Sequence, residues 1–418
     1  MSVAQDVSLA ALAGDRRAFR RLPQLAGAPY AFRAALRLIA SNWAIGSIRF
    51  VMPTGREIFI QGQEPGPDAQ LVIYDFRFIR RALAAGDIGF AEAYLAGEFD
   101  TPDLPDLLYV FAANWDRVHH VTMGNPLSWT INRIRHALKP NSKRGSKKNI
   151  HAHYDLGNAF YEHWLDPTMT YSSARYEHEG QPLADAQTAK YRALAQTIDL
   201  RADHKVLEIG CGWGGFAEFA AREVGAKVTA VTISREQYAY ARERIFKAGL
   251  SERAEITLVD YRDIEGSFDR VASIEMFEAV GERYWPSYFG KISDILAPGG
   301  RAGLQIITIK DQYFEEYRSR SDFIQQYVFP GGMLASEEKL RRVTGKAGFA
   351  WTDITRFGHD YAETLAEWHR NFDARWPEIR ALGFDERFRR LWKFYLSYCE
   401  AGFRTERTNV IQLALSRA

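Results

Sequence analysis

Cysteine is scarce: Cys211 and Cys399 are the only two in 418 residues. That excludes a disulfide framework and fits a reduced, cytoplasmic protein. No apolar run approaches the ~20 residues that span a bilayer, so any membrane contact is expected to be peripheral. The start, "MSVAQDVSLAALAGDRRAFRRL", lacks a charged head followed by an apolar core, and no signal peptide is expected. Net charge is only +2, so total charge selects no partner. Acid is missing locally, however. From Arg117 to Tyr154 there is no Asp or Glu, while Arg117, Arg133, Arg135, Lys139, Lys143, Arg144, Lys147 and Lys148 are all basic. This stretch reads either as a solvated linker or as a patch for anionic phosphates, on a membrane surface or on nucleic acid.

The chain is too long for one ordinary core, and two domains are expected. Residues 1–115 read as a small α+β domain. It opens with an Ala/Arg-rich helical segment. "SIRFVMPTGREIFIQG" alternates about Pro53-Thr54-Gly55 as a β-hairpin, and "AQLVIYD" is a further strand. "FRFIRRALAAGDIGFAEAYLAGEF" reads as two helices broken at Gly86-Asp87. Residues 116–150 form the basic linker, with Pro140-Asn141-Ser142 and Gly145-Ser146 as loop signals. In residues 151–418, β-branched runs such as "KVLEIG", "KVTAVTI", "EITLVD", "FDRVASIE" and "RAGLQIITI" alternate with helical stretches. That pattern argues an α/β fold with a parallel, doubly wound sheet. "RFRRLWKFYLSYCEAGF" is a late helix and "NVIQLALSR" a closing strand.

"VLEIGCGWGGFAEFAA", Val206 to Ala221, is a buried strand, a glycine turn and a helix start. Gly210, Gly212 and Gly215 satisfy a dinucleotide pattern, and Gly210, Gly212 and Gly214 an adenosyl one. Glu208 stands two residues before Gly210, where an acid repels a pyrophosphate but accepts from an amino group. The next strand ends "AVTIS", so Thr232, Ile233 and Ser234 supply no ribose acid. Asp260 ends the following strand within reach of an adenine amino group. The balance favours S-adenosylmethionine over a dinucleotide; a turn needed only for packing is the third reading. His151 and His153 have no third metal ligand at suitable spacing, and structural roles are expected for both.

The segment before that strand, "HAHYDLGNAFYEHWLDPTMTYSSARY", resembles the cyclopropane fatty acid synthase family, which includes the mycolic acid cyclopropane synthases. His153-Tyr154-Asp155, Gly157-Asn158, Leu165-Asp166-Pro167 and Tyr171-Ser172 match its pre-motif. Glu208 to Gly214, Val231-Thr232-Ile233-Ser234 with Gln237, Met276-Phe277-Glu278, Phe329-Pro330-Gly331-Gly332 and Asp360-Tyr361 fit as well. The resemblance covers most of the chain, and the N-terminal domain is similar to that family's lipid-associated domain.

The resemblance implies methyl transfer from S-adenosylmethionine to the cis double bond of an unsaturated phospholipid acyl chain, giving a cyclopropane. It implies that Tyr171 and Ser172 hold the amino-acid end of the ligand. Thr232, Ile233 and Gln237 would lie near its ribose, and Asp260 and Tyr261 near its adenine. Tyr284, Trp285, Phe323, Tyr327, Phe329 and Tyr361 are candidate aromatic faces for the carbocation left by an attacking alkene. The family's proton acceptor is attributed to bicarbonate, held here by Glu278, Tyr361, Ser173 in place of a cysteine, Gln305 in place of a histidine, and the Ile307 backbone. Because Gln305 cannot titrate as histidine does, a methyl-branched or methylene product is the alternative. Arg133 to Lys148 would meet anionic headgroups at the inner face of the membrane, and a homodimer is compatible with this reading. A nucleic-acid methyltransferase is the runner-up from another class. It is disfavoured because the chain has no D/N-P-P-Y/F tetrapeptide and no dedicated cysteine nucleophile, so no nucleic-acid partner is expected. A non-catalytic lipid-binding protein is the third possibility.

Overall fold

The computed structural model describes residues 22–122 and 156–417. The basic residues from Arg133 to Lys148, the pair His151 and His153, and Tyr154 and Asp155 lie outside the described residues. The chain divides into two units: one holds the described residues before 123 with Arg320–Phe323 and Phe384–Thr405, and the other holds the remainder.

In the first unit, β1 (Ile45–Val51) and β2 (Glu57–Gln61) form the expected hairpin, antiparallel about Pro53-Thr54-Gly55. Alternate residues Ile48, Phe50, Ile58 and Ile60 are buried, as a half-covered sheet requires. β3 (Glu64–Ile73) runs parallel to β1, and β4 (Phe99–Asp100) completes the order β2-β1-β3-β4. Pro65 and Pro67, which cannot donate to a ladder, fall at the start of β3 where its register to β1 shifts. The helix Arg77–Leu95 breaks at Gly86, whose φ of 63° and ψ of −133° no helical residue adopts. The Asn114 side chain spends all its polar capacity: Oδ1 accepts from the N–H groups of Ala44 and Ile45, and Nδ2 donates to the carbonyls of Ile45 and Val110.

The helix read from "RFRRLWKFYLSYCEAGF" forms as Glu386–Arg404, but it belongs to this first unit and not to the unit of its sequence neighbours. Arg390 explains the placement. Its guanidinium donates to the carbonyls of Tyr94 and Phe99, pairs with Asp100 at 3.0 Å and lies over the Tyr94 ring. Phe394 packs against Phe323 at 4.8 Å between ring centroids.

The second unit is a seven-stranded sheet built from β5 (Lys205–Ile209), β6 (Lys227–Thr232), β7 (Ala254–Leu258), β8 (Phe268–Ile274), β9 (Leu296–Ile309), β10 (Phe349–Arg356) and β11 (Thr408–Arg417). Its order is β10-β11-β9-β8-β5-β6-β7. The pairs from β7 to β9 are parallel, while β11 runs antiparallel to both β9 and β10. The strand expected to close the sheet is therefore interior, because β10, with a polar alternation that gave no strand signal, covers its outer edge. Successive residues feed opposite faces: Val206, Val228 and Ala230 enter one buried cluster with Leu194 and Phe216, and Leu207, Ile209 and Val231 enter the other with Phe277 and Phe289. Strand order reverses at β5, with β6 on one side and β8 on the other. The crevice beyond the carboxyl ends of β5 and β8 is thus the ligand position of such a sheet.

Candidate active site

The turn after β5 passes through three glycines with positive φ: Gly210 at 84°, Gly212 at 51° and Gly214 at 85°. At Gly210 a Cβ would also meet the Met276 side chain at 2.5 Å, so no larger residue fits without displacement. Glu208 precedes the turn and is buried, and its Oε2 has no hydrogen-bond partner among the described residues. Burial pushes its carboxyl up to about 8, against the opposing charges of Arg244 and Lys190. At the end of β6, Thr232 Oγ1 donates to Gln237 Oε1 at 3.0 Å, and Ile233 lies in the same turn. Ser234 caps the helix Arg235–Lys247. Asp260 is committed elsewhere: its carboxylate accepts the Arg262 backbone N–H and pairs with the Arg262 guanidinium at 2.6 Å. The half-buried Tyr261 packs edge-on to Tyr288. Trp213 Nε1 donates to Asn158 Oδ1 at 2.8 Å, fixing the pre-motif against the glycine turn.

The second part of the site departs from expectation. Ser173, Gln305 and Tyr361 do converge, but on Glu275. The Ser173 N–H donates to Glu275 Oε1 at 2.8 Å and Gln305 Nε2 to the same oxygen at 2.7 Å. Tyr361 Oη donates to Glu275 Oε2 at 2.9 Å. Glu278, expected at the centre of that cluster, instead accepts the Ile307 N–H on Oε1 at 2.6 Å, while its Oε2 is without a partner among the described residues. Burial, reinforced by the charge of Glu275, pushes Glu278 up to about 8. The donors assigned to a bicarbonate ion are thus occupied by a carboxylate of the chain itself, and a free anion does not fit among them.

Glu275 follows the last residue of β8 with φ of 47°, a left-handed conformation that a side-chain-bearing residue adopts at a cost. Its backbone N–H bonds to the Gln305 carbonyl. Sequence reasoning missed it. The signal was a second acid three residues before Glu278, at the carboxyl end of a buried strand. Two more polar side chains were missed. Gln412, in the apolar run of β11, donates to Gln305 Oε1 at 3.0 Å and to the Lys190 carbonyl at 3.1 Å. Lys190 is fully buried on the helix Leu183–Thr197 and donates to Ser172 Oγ at 2.6 Å.

The candidate aromatic rings fall in different parts of the structure. Tyr361 packs edge-on against Trp368, and Trp368 lies 5.3 Å from Tyr171. Phe329 stacks on Tyr171. Trp285 instead packs on Phe277 in the sheet core, where Tyr284 is a partly buried neighbour. Phe323 sits in the first unit against Phe394. Tyr327 ends the short helix Phe323–Tyr327 and is half-buried. Trp368 was not singled out beforehand, although it follows Tyr361 by seven residues on the helix Gly358–Ala374 and so shares its face.

A doubly wound sheet whose first strand ends in this glycine turn, beside an orphaned buried acid, fits an adenosyl ligand; the fold and site are those of an S-adenosylmethionine-dependent methyltransferase. Residues 141–413 match the model of the family described as mycolic acid cyclopropane synthetase, and the chain belongs to that family. It is 39% identical over 350 residues to the tuberculostearic acid methyltransferase UfaA1 of Mycobacterium tuberculosis, covering 81% of each chain. It is 34% identical over 365 residues to the cyclopropane-fatty-acyl-phospholipid synthase of Escherichia coli, covering 86% of this chain and 90% of that one. Among solved structures it is similar to the cyclopropane synthase MmaA2 of Mycobacterium tuberculosis, with a TM-score of 0.61 and 28% identity over 65% of this chain and 98% of that one. Proteins of this family are S-adenosylmethionine-dependent transferases acting on lipid acyl chains. Among the described residues no helix is long and apolar enough to cross a membrane, and no cluster of His, Cys, Asp and Glu could hold a metal ion.

Proposed function

We propose that this enzyme methylates the cis double bond of an unsaturated phospholipid acyl chain, with Glu275 as the proton acceptor. The observation that carries the reading is the convergence of Ser173, Gln305 and Tyr361 on the Glu275 carboxylate. S-adenosylmethionine, when bound, supplies an electrophilic methyl group. Gly210, Gly212, Gly214, Glu208, Thr232 and Gln237 are the residues that would hold it, with Tyr171 and Ser172 at its amino-acid end. Tyr261 would flank the adenine. Asp260, occupied by Arg262, would reach the adenine only by sharing its carboxylate.

An alkene is a weak nucleophile, so the site must align it within about 3–3.5 Å of the methyl and keep water away. The rings of Tyr171, Phe329, Tyr361 and Trp368 pack in one cluster and would present apolar surface and electron-rich faces to a cation on the acyl chain. Glu275 then removes a proton. Loss from the transferred methyl closes a cyclopropane. A hydride shift along the chain before that loss leaves a methylene branch. The two steps compete, and the acceptor decides between them. The Glu275 carboxylate is tethered to the backbone and its oxygens already accept three hydrogen bonds, so it is less mobile than a free anion and has fewer lone pairs to offer. This favours the open-chain methylene product over the ring; of the relatives, one at 39% identity is named a methyltransferase and one at 34% a cyclopropane synthase.

The test is incubation of the purified protein with methyl-¹³C S-adenosylmethionine and monounsaturated phospholipid vesicles. Label in the acyl chain supports the reading, and its absence overturns it. Both products add one CH₂, so NMR separates them: high-field ring protons mark a cyclopropane, and olefinic methylene protons mark the open chain.

A further inference from the structure

We propose that Lys190 is a positioning residue for the reaction: its buried ammonium, tied through Ser172 and Ser173 to the Glu275 carboxylate, favours the charged form of the proton acceptor. The inference rests on the reading of Glu275 as acceptor.

The geometry is a closed polar network inside an apolar core. Lys190 Nζ donates to Ser172 Oγ, and the next residue, Ser173, donates its N–H to Glu275 Oε1. Gln187 Nε2 holds the Ser172 carbonyl at 2.9 Å. Gln412 Nε2 bridges the Lys190 carbonyl to Gln305 Oε1, and Gln305 Nε2 returns to Glu275. Lys190, Ser173, Gln187, Gln305 and Gln412 are at most 1% exposed. Both the lysine stem and the acid-bearing turn are therefore fixed from two sides, and neither charge is free to swing into water.

A lysine with no exposed surface is not there for solubility, and an isolated buried ammonium is costly. Burial pushes Lys190 down to about 7, and the acids that oppose this are Glu275 first, then Asp166 and Glu208. Burial pushes Glu275 up, and the strongest opposing influence is Lys190. Each group thus has the other as its main reason to be charged. The acids whose charges act on Lys190 are Glu275 after β8, Asp166 before the Tyr-Ser pair and Glu208 on β5, and its ammonium lies over the Tyr191 ring on its own helix. Around Glu275 stand Lys190, the Tyr361 hydroxyl and Glu278. Lys190 is the one cation in this set. Removing its charge therefore raises the pH at which Glu275 ionises.

The test is the pH profile of Lys190→Met, which keeps most of the stem and removes the charge. The acid limb of kcat is expected to move to higher pH by about one unit or more, so that turnover lost on its acid side recovers as pH is raised. An acid limb unchanged from wild type, or a loss that no pH restores in a folded protein, overturns the proposal. Should Lys190→Met not fold, ¹⁵N NMR of Lys190 Nζ in Glu275→Gln reads the same coupling from the other side. Its titration is expected to move to lower pH than in wild type, and no movement overturns the pairing. Turnover by Glu275→Gln separates the two claims: full turnover removes the acceptor reading itself, whereas a dead Glu275→Gln beside an unshifted Lys190→Met removes Lys190 alone.

Discussion

Glu275 and Glu278 stand three residues apart on the turn after β8 and meet opposite hydrogen-bond environments. Glu275 accepts from Ser173, Gln305 and Tyr361, whereas among the described residues Glu278 accepts the Ile307 N–H on one side-chain oxygen and leaves the other without a partner. Donors favour the charged form, so three of them oppose the rise that burial imposes on Glu275, whereas Glu278 meets one such donor and is pushed up to about 8. In Glu275→Gln the acceptor is lost while the shape is kept. Turnover is expected to fall by about 10²–10⁴, the range for a positioned general base, with S-adenosylmethionine affinity little changed. Activity within a few-fold of wild type would refute the assignment.

Glu275→Gly makes the complementary case. Glycine suits the φ of 47° and frees the Ser173, Gln305 and Tyr361 donors for a small anion. Added bicarbonate or formate should restore part of its turnover and should not stimulate wild type. Wild-type dependence on bicarbonate would show that Glu275 is not the acceptor.

Glu278 gives a stability prediction with a definite sign. Its folded-state pKa is raised from 4.5 to about 8, so the folded chain binds a proton that the unfolded chain releases. The stability it contributes is full below about pH 4.5 and lost as pH rises through about 8. Glu278→Gln should therefore flatten the fall in the ligand-free melting temperature between pH 6 and 9, by at least about 2 °C. Parallel wild-type and variant curves would contradict the burial assigned to this carboxyl.

Thr232 and Gln237 join at 3.0 Å, and the pair is proposed to lie beside the ribose of the ligand. Losing a hydrogen bond of about 0.5–1.5 kcal/mol predicts that Gln237→Leu weakens S-adenosylmethionine binding by about 2–10-fold. Calorimetry of the purified variant measures it, and the acid limb of the pH profile should not move.

Lys143, Arg144, Lys147 and Lys148 carry the proposal of anionic membrane docking. Replacing all four with serine should weaken binding to phosphatidylglycerol-containing vesicles, and wild-type binding should weaken as salt rises. Binding that ignores both salt and these substitutions would reject a headgroup role.

The sheet was legible because strand and helix periods alternate cleanly from Val206 onward and because Gly210 to Gly214 punctuate the first crossover. The hairpin about Gly55 and the break at Gly86 were legible for the same reason: local backbone chemistry announces itself in residue type. Glu275 was not. A side chain at a strand end reaches its partners through tertiary packing, and Ser173, Gln305 and Tyr361 come from three segments, the outer two of them more than 180 residues apart in the chain. Glu278 drew the attention because its motif was familiar, and its neighbour had no pattern of its own. Lys190 was hidden for a related reason. Its position on the apolar face of the helix Leu183–Thr197 shows only once the helix is phased against the sheet.

The helix Glu386–Arg404 has a practical outcome for anyone dissecting this protein. Its Arg390 is clamped to Tyr94, Phe99 and Asp100, yet some 290 residues of polypeptide separate the two ends of that clamp. A fragment stopping near residue 122 would carry the amino-terminal sheet without the helix that caps it, leaving those carbonyls bare and the rings of Tyr94 and Phe90 without Phe394. A gene split between the catalytic segment and the rest would damage both products.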